Sequence, residues 1–211
     1  MINHHVSDEL LYLYAGGALA RGWSLAVATH LALCPICRAK AAEYEAAQSS
    51  DLVAVAPADM STSAEDLLSF LGEQEHEMIP APQPETAVIP RPLRDFSGDV
   101  DDIKWSFVGG GVRQSILFEE DGVSARMLYI PPSTAVPAHG HGGLELTQVV
   151  SGGFFDGDVG CSRGDIQIVA HDSPHQPIAM SDQPCVCLAV TDAPLKFSNI
   201  LPRLFQPLFK I

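Results

Sequence analysis

Two groups of metal-binding side-chain types lie far apart in this 211-residue chain. Near the start, His30, Cys34 and Cys37 follow one another at spacings of four and three. On a helix or helix-turn those spacings bring three side chains to one side, within reach of a single ion. A closed structural zinc takes four ligands, so one more must come from elsewhere, and His4 or His5 is the available source. Such an ion would tie the first helix to the second and third. The same residues also read as a CxxC redox pair, or as small buried thiols beside a helical histidine. Much later come His139, His141 and Glu145, with His175 downstream. Alternation along a strand puts His139 and His141 on one side. With no sulfur, this set suits an open site reachable by substrate, water or an oxidant, and it accepts Zn, Mn, Fe, Ni or Cu. His171 is either a support to that site or an exposed loop residue. Cys185 and Cys187 share a strand face, and they and Cys161 read as buried thiols.

The elements that must position these groups change character along the chain. Ser7, Asp8 and Glu9 give a capped helix start with acidic first-turn residues, placing Leu10, Leu13 and Tyr14 on one face before Gly16 and Gly17 end it. Ser24 is a second cap candidate, ahead of a run to the cysteines, and Pro35 suits the first turn of a third helix. Ser63 with Asp66 makes a capping box for a short fourth. Five prolines between 80 and 92 then mark a linker. Beyond it, short apolar runs are split by Gly, Pro and Asp: 105–108, 114–118, 125–130, 135–138, 145–150, 153–156, 165–169, 176–179 and 185–190. That spacing predicts an antiparallel sandwich or barrel. The expected division is residues 1–76, helical; 77–92, linker; 93–211, all-β, with a C-terminal tail whose Leu201, Leu204, Phe205, Leu208 and Phe209 pack on the barrel.

Composition excludes several function classes. Hydrophobic residues make up 46% and charged residues 18%, enough for packed cores. The polar, acidic start carries no signal-peptide pattern, and the longest apolar stretch, Leu25 to Ile36, is interrupted by Thr29, His30 and Pro35. A cytoplasmic protein is therefore expected, in which five cysteines are ligands or free thiols rather than a disulfide framework. A net charge of −14 with only 12 Lys and Arg argues against nucleic acid as a direct ligand. Residues 1–80 hold 11 Asp and Glu against 3 Arg and Lys, a net of −8. Such a surface either attracts a basic protein or simply keeps the chain soluble.

An upstream histidine followed by His30-x3-Cys34-x2-Cys37 resembles the zinc-binding anti-sigma domain family. In that family four helices clasp an extracytoplasmic-function sigma factor and block its contact with RNA polymerase. The resemblance implies His5, His30, Cys34 and Cys37 as ligands of Zn2+. His139-x-His141-x3-Glu145-x6-Gly152 resembles the first motif of the cupin family, and Gly164-Asp165 with His175 matches the start and the ligand of the second. That implies His139, His141, Glu145 and His175 as ligands of a second divalent metal, zinc ahead of Mn, Fe or Ni. Ser133, Ala170, Asp172 and Ala179 stand where the cupin pattern has glycine, proline, glycine and asparagine, which weakens any inference of cupin enzyme activity.

The two domains in this order, over essentially the whole chain, are similar to the ChrR family, named for a regulator of the singlet-oxygen response. His4-His5-Val6-Ser7, Gly109-Gly110-Gly111-Val112-Arg113-Gln114 and Thr191-Asp192-Ala193-Pro194-Leu195 carry the likeness further. The implied fold is α+β and multidomain: a small four-helix zinc-binding domain, then an all-β cupin, an antiparallel β-barrel or jelly roll. The implied function is regulatory, not enzymatic. An anti-sigma factor would hold an extracytoplasmic-function sigma factor in a 1:1 complex and release it when the cupin senses singlet oxygen or organic peroxide, with no nucleic acid or membrane bound directly. The competing expectation is a cupin-type metal-dependent dioxygenase or isomerase with an accessory zinc interaction domain. A third is a zinc-stabilised adaptor for another basic protein.

Overall fold

A computed structural model describes residues 1–53, 55–56, 61–71, 88–170 and 173–197. Ser7 caps α1 (Asp8–Ala15), its Oγ accepting from the Leu10 N–H at 3.4 Å. Leu11 is the residue buried deepest on this helix, with Leu10 and Tyr14 packed around it. The second helix, α2 (Arg21–Leu33), starts three residues before the cap expected at Ser24. Ala20 occupies the cap position without a side-chain bond, and the Ser24 hydroxyl donates back to Leu19 O at 3.2 Å. Packing overrides the local signal here, because the early start brings Gly22 and Trp23 against the neighbouring sheet. Pro35 opens α3 (Pro35–Val53), as its fixed φ favours. Ser63 and Asp66 cap α4 (Ala64–Leu71): the Asp66 N–H donates to Ser63 Oγ at 3.1 Å, and the hydroxyl donates to the carboxylate at 2.8 Å.

Residues 72–87, the greater part of the expected linker, lie outside the described residues, as do His171 and the tail from 198. The last linker residues are helical instead. In α5 (Arg91–Ser97) Pro92 sits in the first turn, where its missing N–H costs nothing, and Leu93 is buried against α2 together with Ile89.

The strands are β1 (Ser106–Gly109), β2 (Val112–Glu120), β3 (Val123–Ile130), β4 (His139–His141), β5 (Glu145–Ser151), β6 (Gly153–Asp156), β7 (Val159–Ser162), β8 (Ile166–Val169), β9 (Ile178–Ala179), β10 (Cys185–Thr191) and β11 (Leu195–Phe197). All pairings are antiparallel, in a six-stranded sheet β1-β2-β3-β10-β5-β8, a three-stranded sheet β7-β6-β9 and the pair β11-β4. This is the antiparallel cupin architecture preceded by helices. The strand expected over 135–138 does not form. Pro137 has no N–H for a ladder, and only Ala135 bridges to Ile178. Pairing begins at His139 instead, in β4.

Alternation gives the six-stranded sheet two different buried faces. Val149 of β5, Cys185 and Cys187 of β10, and Ile130 of β3 meet Phe154, Cys161 and Ala179 of the three-stranded sheet. Leu146 and Val150 of β5, Leu188 and Val190 of β10, and Val123, Ala125 and Met127 of β3 point the other way. They form one continuous core with Leu11, Trp23, Val27, Leu31 and Leu93 of the helices. The helical region is thus separate from the sheet in sequence but shares a core with it in space. Gly22 lets α2 come this close, since a Cβ there would lie 2.6 Å from Val123 Cγ1 and 3.1 Å from Val190 Cγ1. No helix among the described residues is long and apolar enough to cross a membrane.

Candidate metal centres

The front cluster is built where three segments meet. His30 lies in the last turn of α2, Cys34 caps that helix with its N–H on His30 O at 2.8 Å, and Cys37 follows in the first turn of α3. The extended segment before α1 supplies the fourth group. His5 Nδ1 lies 3.4 Å from Cys34 Sγ and 3.4 Å from Cys37 Sγ. His4 points elsewhere, its Nε2 donating to Gly160 O at 3.1 Å. One donor atom from each of His5, His30, Cys34 and Cys37 lies within 4.8 Å of the others.

Two observations fit a cation among these four. His30 Nε2 is buried without a hydrogen-bond partner while Nδ1 is occupied, so a lone pair faces the cysteines unsatisfied. Burial pushes the Cys37 thiol up to about 11, with Cys34 adding to the shift, so a thiolate there needs a positive charge beside it. Burial also holds His30 below its ordinary value, in the neutral form that can ligate.

The rear cluster joins the pair β11-β4 to the six-stranded sheet. β4 carries His139 and His141 with ring centroids 5.0 Å apart. The start of β5 carries Glu145, and His175 is fastened to His139 by a two-way backbone bridge at 2.8 and 3.1 Å. His175 Nε2 lies 2.9 Å from both His139 Nε2 and His141 Nε2. Glu145 Oε2 lies 3.0 Å from His141 Nε2 and 3.6 Å from His175 Nε2. Three imidazole nitrogens and a carboxylate oxygen therefore converge on one point.

The protons on the opposite ring atoms explain that convergence. His139 Nδ1 donates to Pro137 O at 2.8 Å and His175 Nδ1 donates to Asp156 Oδ2 at 2.9 Å. Their Nε2 atoms then carry lone pairs facing each other, an arrangement a cation relieves. Burial holds His139 below its ordinary value, again favouring the ligating form. Asp156 also accepts from Gln167 Nε2 at 2.8 Å. Burial pulls its carboxyl upward, but the bonds from His175 and Gln167 outweigh this and hold it below the usual range. A cleft of about 700 Å³ lined by Asp156, Pro174, His175, Gln176 and Ile178 opens beside this cluster.

The structure thus brings together all eight residues expected as ligands, in two groups of four. Three further residues have roles that the sequence does not assign, Asp165 standing there only as part of the second cupin-like motif. Asp156 holds His175, Gln148 meets His30, and Asp165 secures the backbone just before His5. The one available signal was Gln148, a polar residue in the otherwise apolar run Leu146 to Val150. Cys161, Cys185 and Cys187 are all buried in the sandwich core as free thiols, with no disulfide among them.

Residues 93–194 match the family described as the ChrR cupin-like domain. The anti-sigma-E factor ChrR of Cereibacter sphaeroides is 45% identical over 214 residues, covering 100% of this chain and 99% of that protein. A crystal structure of Rhodobacter sphaeroides SigE in complex with the anti-sigma ChrR superimposes with a TM-score of 0.77 at 41% identity. It covers 90% of this chain and 99% of that one.

Proposed function

The chain belongs to the ChrR family of anti-sigma factors, and on that premise we propose that it binds and silences an extracytoplasmic-function sigma factor in the cytoplasm. The carrying observation is the likeness to one anti-sigma factor along the full length of both chains, helices and sheets together. The surface of the helical region suits such a partner. It exposes the carboxylates of Asp8, Glu9, Glu43, Glu45, Glu65 and Asp66, and Tyr12, Ile36, Leu67 and Leu68 expose apolar side chains at 52%, 65%, 44% and 66%. Exposed carboxylates together with exposed apolar groups favour a basic partner with an apolar face. Regulation by occupancy, not turnover, is the role this assigns.

His5, His30, Cys34 and Cys37 hold Zn2+ in this reading, because two thiolates and two imidazoles in a closed set match structural zinc. When bound, it supplies a cross-link joining the segment before α1 to α2 and α3. His139, His141, Glu145 and His175 hold a second divalent ion, zinc ahead of Mn, Fe or Ni, whose chemistry is that of a Lewis acid open to an oxygen ligand. Around it, Pro137 O and Asp156 keep the imidazole protons of His139 and His175 on Nδ1.

Release follows when singlet oxygen or an organic peroxide alters the cupin so that the chain binds sigma more weakly than before. Equimolar addition of the full chain to its cognate sigma factor and polymerase abolishes promoter-specific transcripts; undiminished transcription would sink the proposal. Substituting His141 or Glu145 spares inhibition and removes the response to oxidant. A response that persists in those variants removes the rear cluster from the sensing step.

A further inference from the structure

Two of the four front donors, His30 of α2 and His5 of the extended segment before α1, are set in place by contacts from the sheets. His30 Nδ1 lies 3.1 Å from Gln148 Oε1, with both residues fully buried. The amide orientation is defined by its other end, where Nε2 donates to Val149 O at 3.0 Å. Oε1 can only accept, so His30 carries its proton on Nδ1 and turns the unpartnered Nε2 toward the cysteines. Gln148 projects from β5 toward α2, between Leu146 and Val150 on the same face.

The second placement is made by Asp165. Its Oδ1 accepts from the backbone N–H groups of Asn3 and His4 at 2.6 and 2.9 Å, while Oδ2 accepts from Ser162 N at 2.8 Å. Ile166 N then donates to His4 O at 3.3 Å. The segment carrying His5 is thereby laid along the start of β8. Gly164 makes room for it, since a Cβ there would lie 2.6 Å from Ile2 Cδ1, and at φ +93° few other residues fit. Cys34 and Cys37, by contrast, sit on the turn between α2 and α3, where the Cys37 N–H donates to Cys34 Sγ at 3.5 Å.

We propose that Gln148 and Asp165 are positioning residues for the front metal cluster, so that docking of the sheet on α2 and metal affinity at His5, His30, Cys34 and Cys37 are coupled. The inference rests on the reading of that cluster as a metal site. Coupling is reciprocal: whatever loosens the sheet from α2 weakens the metal, and the metal tightens the docking. β5 is the element both clusters share. Its Glu145 belongs to the rear four, and three residues on, Gln148 faces the other way and holds a ligand of the front four. A shift of β5 that follows a change at Glu145 therefore bears directly on His30, which gives the sensing region a route to the zinc-held helices.

Cobalt(II) is the probe that isolates the front cluster, because only that cluster offers thiolates and so only it gives sulfur-to-cobalt absorption. The full chain is loaded with cobalt and titrated with zinc, alongside Gln148→Leu and Gln148→Glu. Loss of an outer hydrogen bond to a ligating histidine costs about 10–100-fold in affinity. That weakening is expected for Gln148→Leu, and Gln148→Glu, which still accepts from Nδ1 but loses the amide donor to Val149 O unless protonated, is expected to lie between Gln148→Leu and the parent. Equal affinity in all three chains, with the sulfur band present, overturns the inference and leaves the metal reading standing. Absence of the band from the parent chain overturns both. Should Gln148→Leu fail to fold, nitrogen NMR of the unmutated chain stripped of metal by a chelator decides: a His30 proton on Nδ1 supports the inference, and one on Nε2 overturns it.

Discussion

Asp156 Oδ2 accepts the Nδ1 proton of His175 at 2.9 Å, so a carboxylate on β6 dictates how an imidazole from another part of the sandwich presents its Nε2. Two further donors, Gln167 Nε2 and Gln176 N, hold the same carboxylate still. Asp156→Ala leaves His175 free to turn and to change tautomer. Divalent-metal affinity at the rear cluster is expected to fall by about 10–100-fold, with Asp156→Asn intermediate because its amide oxygen still accepts. Competition against a chromophoric chelator measures this. Unaltered affinity in Asp156→Ala would mean that His175 is held by its backbone bridge to His139 alone.

Gly22 tests the joint between α2 and the sheet. A Cβ at this position meets Val123 and Val190, so Gly22→Leu must push the helix off the sheet or distort the core. Overpacking of this kind costs about 1–3 kcal/mol, read as a lower urea midpoint. Gly22→Ala is milder, since alanine regains up to about 1 kcal/mol of helix propensity against its smaller clash. A Gly22→Leu chain as stable as the parent would show that the two layers are not in firm contact.

The ligand types were legible because chemistry and spacing suffice for them. His30, Cys34 and Cys37 are close in sequence, and His139-x-His141 needs only strand alternation. The bounds and pairing of the short β4 that carries those histidines were not legible, because its three residues lack an apolar pattern and its partner β11 lies more than fifty positions away. Local signals misled at Ser24, which resembles a cap but bonds backward to Leu19 O, and at Pro92, which opens α5 where a linker was expected. The shared core was invisible for a different reason. Leu146 and Val149 read alike as apolar strand residues, and only the fold decides that one meets helices and the other the second sheet.

The interior thiols provide a pH prediction. Burial pushes Cys161 up to about 12, and a hydrogen bond with Cys185 together with burial raises Cys187 well above its ordinary value. Folding therefore favours the protonated thiols. Their contribution to stability is complete below the unfolded-state value near 9 and declines as pH rises above it. The urea midpoint should fall between pH 8 and 10, and fall less in Cys161→Ala, where one raised group is gone. Iodoacetamide at pH 8 should leave Cys161, Cys185 and Cys187 unmodified until denaturant is added. Rapid native labelling of any of the three would contradict the burial found for them.

Metal binding at the front cluster should release protons, and the thiols set how many. With its value near 11, Cys37 is protonated at neutral pH and must lose that proton to ligate. His30, held below its ordinary value, has none to lose at Nε2. Apparent zinc affinity should accordingly rise at least about tenfold per pH unit between pH 7 and 8, one proton per ion from Cys37 alone. Calorimetry in buffers of different ionisation enthalpy counts these protons directly. Cys37→Ser removes both the proton release and one bound zinc per chain while leaving the metal at the rear four in place. Zinc uptake independent of pH, or unchanged by Cys37→Ser, would show that the ion does not bind through this thiol.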